Sequence, residues 1–387
     1  AALRRAGGAV GDLPGAPDLV VDGLTGIGAR GALRPPAAAL AERVRGAGRA
    51  DVVAVDLPSG VDADTGAVEG TAVRAALTVT FGTHKPGLLV GAGREHAGRV
   101  VLVDLGLTGS LPPAPVEQLE DADVADLLPA AHGESDKYTR GVVGVAAGSP
   151  QYTGAAVLAV GAAVRAGAGM VRFAGAAHAA ERVRAAWPEV VVAEASGEDV
   201  VDAGRVQAWV VGPGLGTGAT AVAAVRAVLA QEVPVLVDAD ALTVLAQEPS
   251  LLDGRTAPTL LTPHDREFAR FGDDVGPDRV GAARRLAARL GVHVLLKGTA
   301  TVVAGPDGPA RVNGTGTPAL ATAGTGDVLS GGTGALLAGG LAALDAGSAG
   351  AHLHGLAGRL AAAGAPTSAG LVLQAWPDAV REVRGLR

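Results

Sequence analysis

Cysteine is absent from all 387 residues, which excludes disulfides, thiol catalysis and any zinc or iron–sulfur site built on thiolates. Aromatic residues make up only 2%, and the formal charge is −7. That pairing argues against nucleic acid, which asks for basic stripes and stacking rings, and leaves room for a small anionic ligand held by local loops. No apolar run reaches the roughly 18–20 uncharged residues that span a bilayer, because Arg, Asp or Glu interrupts every alanine-rich stretch. With no signal-peptide pattern in the first residues either, the expectation is a soluble, cytoplasmic protein without membrane partners. Lysine is nearly absent too: of 32 basic residues only Lys85, Lys137 and Lys297 are lysine. Each stands in a loop-like context (THKPGL, ESDKYTR, LLKGTAT), where a compact ammonium differs physically from a planar guanidinium.

What is present is apolar and rhythmic. A chain with 48% hydrophobic positions can bury two cores of the usual domain size, about 100–200 residues each. It starts without methionine, in AALRRAGGAVGDLPGAP, and the expectation is that its beginning is missing. Val-rich runs then alternate with glycine turns and helical stretches: DLVVD, DVVAVDLPSG, LTVTFG and RVVLVDLGL. Continuous runs of this kind read as strands buried on both faces of a parallel sheet. The Pro-rich, acidic stretch 113–135 reads as a linker between domains 1–112 and 136–387. The second block repeats the rhythm through VVGVAAGS, MVRF, EVVVA, AWVVGPGLG, VPVLVDADAL, TLLTPH, HVLLKG and TVVAG before long helical stretches take over. The fold class expected is α/β, two three-layer domains with crossover helices.

The unusual residues fall at the carboxyl ends of these strands, the edge where open α/β sheets bind ligands. The most informative segment is ATAGTGDVLSG at 321–331. Gly324 and Gly326 let the chain turn and aim bare N–H groups, the following helix contributes roughly half a positive charge at its start, and Asp327 is placed to take a proton from a hydroxyl. A plain N-cap is the alternative for Asp327. GPGLG at 212–216 suits a phosphate approach or a simple turn. In LVDADAL, Asp238 and Asp240 point the same way if the strand continues, which suits Mg²⁺, while a helix cap for Asp240 is the other reading. His264 in TPHDREF reads as a substrate contact or a cap; Lys297 reads as a phosphate partner or a surface lysine. In the first block, oxygens of Asp22, Asp56 and Ser59 form a candidate cation site or mark tight turns.

Taken together, these motifs resemble the bifunctional NAD(P)HX repair family: an epimerase domain of the YjeF N-terminal type, Rossmann-like, followed by an ADP-dependent NAD(P)HX dehydratase that is ribokinase-like. The resemblance runs through SDKYTRGVVGVAAGSPQYTGAAVLA, VVGPGLG, VLVDADAL, LLTPH, LLKGTAT and NGTGTPALATAGTGDVLSG in the second block. In the first it runs through VDGLTGIG, VAVDLPSGVDADTG and TVTFGTHKPGLL. It implies that ADP (or ATP) with Mg²⁺ phosphorylates the C6 hydroxyl of NAD(P)HX, leaving AMP, and that NAD(P)H forms when phosphate departs. By the same resemblance Asp327 activates the hydroxyl, and Lys297, Gly298, Thr299, Ala300, Thr301, Gly324 and Gly326 hold the nucleotide. Ala155, Gly214, Gly216, His264 and Asp327 contact the substrate. In the first domain, Asp22 and Ser59 become K⁺ ligands. Gly26, Ile27, Gly28, Ala29, Arg30, Gly31, Ala32 and Asp56 become substrate contacts, with Asp56 a proton handler. Two departures stand out. The family's Asn- and Gly-rich nucleotide loop has no counterpart here, so impaired epimerase activity is expected; and Arg266 stands where the family usually has glycine, which bears on the shape of the substrate pocket. A ribokinase-like small-molecule kinase and a non-catalytic nucleotide-binding protein are the rival readings, and a homo-oligomer is expected from alanine-rich helices with few aromatics.

Overall fold

The computed structural model describes residues 5–8, 11, 17–46, 51–129 and 140–386; Lys137 lies outside them. Two compact units divide the chain, Ala1–Pro113 and Ala114–Arg387. In the first, β1 (Leu19–Asp22), β2 (Asp51–Val55), β3 (Leu77–Phe81) and β4 (Arg99–Val103) form a parallel sheet in that order. Its buried side, with Val20, Val52 and Ala54, packs on Ala41 of helix Ala37–Gly46 and on Val73 and Ala75. Burial on both faces was expected and is not what the structure has. Leu19, Val21, Val55, Phe81, Val101 and Val103 point to the other side and are exposed. Alternate residues of a strand face opposite sides, and the described helices of this unit cover one of them.

Among the described residues, the second unit holds ten strands in the order β5-β14-β13-β12-β11-β10-β9-β6-β7-β8. They are β5 (Val116–Glu117), β6 (Val142–Ala146), β7 (Met170–Gly175), β8 (Val191–Glu194), β9 (Ala208–Val211), β10 (Val235–Val237), β11 (Thr259–Leu261), β12 (His293–Leu296), β13 (Val302–Ala304) and β14 (Ala310–Val312). From β6 through β8 the connections step one way along the sheet, and from β9 through β12 they step the other. Right-handed crossovers therefore put the two sets of helices on opposite faces, giving three layers. The direction reverses between β6 and β9, parallel neighbours, and a ligand crevice opens at the carboxyl ends of strands at such a switch point. The central strands β6, β9, β10 and β11 are buried at every residue, as their unbroken Val/Leu runs require.

Glycine sets how closely the layers approach. Helix Thr325–Ala338 lies so tightly on helix Thr153–Arg165 that a Cβ on Gly331 would fall 1.9 Å from the Ala159 carbonyl oxygen; any larger residue would push the two helices apart. The stretch 113–135, read above as a linker, contributes structure to the second unit in its described part. Its β5 pairs with β14, helix Asp121–Leu127 buries Val124 in the main core, and His352 lies 2.7 Å from Asp121.

Candidate active site

Four strand ends, those of β9, β10, β11 and β12, and one helix start converge in the second unit. The chain leaves β9 into GPGLG, where Gly212, Gly214 and Gly216 all have positive φ. Gly214 sits against Ala155, because a Cβ there would lie 2.9 Å from the Ala155 methyl. The Gly216 N–H donates to the Asp240 carboxylate at 2.8 Å. After β10 the chain turns at Ala239, φ 51°, and Asp240 opens a helix. The expected side-by-side carboxylates are thus split by the turn: Asp240 faces the glycine loop and Asp238 faces inward, 1% exposed.

Asp238 is the hub. It accepts from Lys297 Nζ at 2.9 Å and from Ser330 Oγ at 2.6 Å. Burial alone would raise its pKa, but the Lys297 charge and the Ser330 and Thr262 hydroxyls outweigh burial and hold it below the ordinary carboxylate range. Lys297 also meets Glu267 at 3.4 Å; burial would lower its pKa, and the two carboxylates more than reverse that. Lys297 therefore stays cationic inside the protein.

Asp327 occupies the first turn of helix Thr325–Ala338, whose start is set by Gly324 at φ 87°. Burial, and then the nearby Asp238 charge, raise its pKa from 3.8 to about 7, against the opposing pull of Lys297. A carboxylate tuned to neutral pH suits a general base, which must lose and regain a proton near working pH. Gly326 lies next to this pair: a Cβ there would be 3.5 Å from Lys297 Nζ and 3.9 Å from Asp238.

Beside these groups opens a cleft of about 920 Å³ whose lining includes His264, Arg266, Lys297, Thr299, Gly326 and His354. Of the expected LLKGTAT contacts, Lys297, Gly298, Thr299 and Thr301 line it, while Ala300 is buried and does not. His264 caps helix Asp265–Phe268, its Nδ1 accepting from the N–H groups of Arg266 and Glu267 at 3.1 and 3.2 Å. The ring proton is therefore assigned to Nε2. The cap reading and a place in the cleft hold together. Burial pushes His354 down to about 4, so this ring stays neutral.

The family match covers the stretch of chain that holds these residues. A family model described as NAD(P)H-hydrate dehydratase matches residues 143–374, more than half of the chain. The chain belongs to the NAD(P)H-hydrate dehydratase family. A second model, YjeF-related protein N-terminus, matches residues 5–87. The bifunctional NAD(P)H-hydrate repair enzyme Nnr of Mycobacterium leprae is 52% identical over 331 residues, 84% of this chain and 66% of that protein. Its counterpart from Mycobacterium tuberculosis is 53% identical, covering 84% and 67%. The chain thus spans about two thirds of the length of these relatives. Among solved structures, an ADP/ATP-dependent NAD(P)H-hydrate dehydratase from Bacillus subtilis, co-crystallised with ATP/Mg²⁺, superposes with TM-score 0.61 at 31% identity over 69% of this chain and 96% of that one. A ribokinase-like superfamily protein from Enterococcus faecalis gives 0.64 at 26%, covering 70% and 98%. The second unit is ribokinase-like, and the first is of the YjeF N-terminal type.

In the first unit, Asp22 and Ser59 do come together: Ser59 donates its N–H and its hydroxyl to the two Asp22 oxygens, each at 2.7 Å. Both residues are buried, and among the described residues no basic side chain pairs with Asp22. Thr25, whose N–H donates to Ser59 Oγ at 3.0 Å, keeps a buried hydroxyl with no partner among the described residues. An all-oxygen set around a buried carboxylate fits a hard cation such as K⁺. Asp56 is held instead by Lys85 Nζ and by Thr80 Oγ1, a partner beyond the expected contacts. Residues 26–32 form an open loop in which Arg30 pairs with Asp62 and Asp64.

Sequence reasoning singled out Lys85 without giving it a partner, and passed over Glu267, Ser330 and Arg279. The last pairs with Asp265 at 2.9 Å and donates to the Lys297 carbonyl at 2.8 Å, tying the loop after β12 to the helix start at Asp265. The scarcity of lysine was the usable signal, because both described lysines pair with a site aspartate.

Proposed function

We propose that the second unit dehydrates (6S)-NAD(P)HX to NAD(P)H with ADP as phosphoryl donor, releasing AMP and phosphate, and that the first unit belongs to the epimerisation of the R and S forms. The observation that carries this reading is Asp327, a carboxylate with pKa about 7 in the first turn of a glycine-led helix, beside Lys297 and a cleft able to hold a nucleotide. Asp327 takes the proton of the C6 hydroxyl while that oxygen bonds to the β-phosphorus of ADP and the bond to AMP breaks. The N–H groups at Gly324 to Gly326 and the Lys297 ammonium sit where negative charge develops on the moving phosphoryl group, usually the largest catalytic term. The C6–O bond then breaks with its electron pair leaving as phosphate, pushed by the ring nitrogen, and loss of the C5 proton restores the dihydronicotinamide.

The residues fit a Mg²⁺ held largely through ligand phosphates and water, the usual mode for that ion: Asp240 and Glu267 lie near Asp327, while Asp238 is committed to Lys297 and Ser330. Among the described residues no cluster of three or more acidic or histidine side chains forms a metal cage. Bound Mg²⁺ would neutralise charge on the donor phosphates. K⁺ at Asp22 and Ser59, substrate contacts at residues 26–32, and a cytoplasmic location belong to the same proposal.

The test follows absorbance at 340 nm when the protein meets an S/R mixture of NADHX with Mg²⁺ and ADP or ATP, with Asp327→Asn as control. A rise in the unmodified protein alone supports the reading. No rise with either nucleotide overturns it, and a stable phosphate ester among the products would mark a small-molecule kinase instead. A plateau at the S fraction shows that the first unit does not epimerise in this chain.

A further inference from the structure

The charges around the cleft do not balance. Lys297 is already countered by Asp238 and Glu267, and Arg279 by Asp265. Asp240 and Asp327 add further negative charge on the same side. A nucleoside diphosphate brings about three more negative charges, which the carboxylates on that side repel. Mg²⁺ arriving with the nucleotide would offset part of that charge, and a side-chain cation in the lining with no carboxylate partner would offset more.

Arg266 is that cation. It lines the cleft together with Lys297, Gly298 and Thr299, and its own backbone is fixed, because its N–H donates to His264 Nδ1 at 3.1 Å inside the reciprocal His264–Glu267 cap. Its side chain is exposed and, among the described residues, meets no carboxylate, unlike Arg279 and Lys297 beside it. A planar guanidinium on a fixed backbone offers two parallel N–H groups to a phosphate.

We infer that Arg266 is a phosphate-binding, specificity-determining residue of this cleft, its guanidinium taking a phosphate of the incoming ligand. This rests on the nucleotide-cleft reading above. Two ligands of the reaction carry that chemistry, the donor ADP and the dinucleotide substrate, and the experiment separates them.

The full chain, Arg266→Gln and Arg266→Lys are titrated by calorimetry with ADP, with adenosine, and with NADH and NADPH as product-side ligands. Thermal melts confirm that each variant is folded. The charge-assisted contact at an open rim is expected to be worth about tenfold in affinity. Arg266→Gln then weakens ADP about tenfold and leaves adenosine unchanged, with Arg266→Lys in between because a point charge keeps part of the contact. Weakening of NADPH and NADH with ADP unmoved assigns the phosphate to the dinucleotide's pyrophosphate, and weakening of NADPH alone assigns it to the 2′-phosphate. If ADP, NADH and NADPH all bind the Gln variant as they bind the parent, the inference is overturned and Arg266 is a solvated surface arginine. A parent protein that prefers ADP to adenosine through Arg266 but turns over no NADHX would sink the dehydratase reading while leaving this one standing.

Discussion

Replacing Asp327 with Asn is expected to make the ligand-free protein more stable at pH 8 while abolishing turnover. Ionising this carboxylate costs the fold, since burial and Asp238 raise its pKa from 3.8 to about 7. At 1.36 kcal/mol per pH unit that difference corresponds to about 4 kcal/mol, an upper bound because the group is only partly buried and solvent screens it. The sign follows from proton counting. Between pH 3.8 and about 7 the folded state keeps a proton that the unfolded state has lost, so stability contributed by protonated Asp327 is complete below 3.8 and gone once pH passes about 7. Asn copies the protonated form at every pH. Taking about half of that bound, about 2 kcal/mol, the variant should melt roughly 4–8 °C higher than the parent at pH 8, given about 2–4 °C per kcal/mol for a domain of this size, and the gap should close toward pH 4. Scanning calorimetry at half-unit pH steps reads this directly, with 340 nm assays alongside. A melting gap independent of pH, or a variant less stable at pH 8, refutes the argument that Asp327 is a strained carboxylate tuned for proton transfer.

Three further outcomes are expected. Asp238→Asn removes a charge that raises Asp327 and frees the opposing Lys297, so the acid limb of the kcat profile should move down by about one pH unit or more, while the broken buried pair costs about 3–5 kcal/mol in denaturant titrations; an unmoved limb would separate Asp238 from the catalytic proton. Gly324→Ala puts a Cβ at φ 87°, 2.6 Å from Leu158 Cδ1, and should cost about 1–3 kcal/mol with a larger loss of kcat than of ADP affinity; a variant with parental melting and rate would show that the helix start tolerates another geometry. In the first unit, K⁺ should raise the parent's melting temperature above that in choline, with no difference in Asp22→Asn; equal effects on both would remove Asp22 and Ser59 as its ligands.

The sequence by itself determined the strands and their ends. Runs such as AWVV and VLV are apolar at every position because both faces of a central parallel strand are covered, and this local rule needs no knowledge of partners. The same holds for the GTGD turn at 324–327, whose glycines and acid act within one helical turn. Tertiary structure decided what those residues became. Asp238 reaches Lys297 across 59 residues and Ser330 across 92, and no spacing in the chain announces that Asp238 turns inward while Asp240 turns to Gly216. The proton affinity of Asp327 depends on burial and on that neighbour's charge, both consequences of packing. The stretch read as a linker shows the same limit from the other side. Its Pro-rich composition describes local stiffness, but whether Val116 and Glu117 pair with a strand depends on the open edge that β14 presents, about 190 residues further on. Local chemistry is written in neighbouring residues, whereas charge balance and strand pairing are set by residues that only folding makes neighbours.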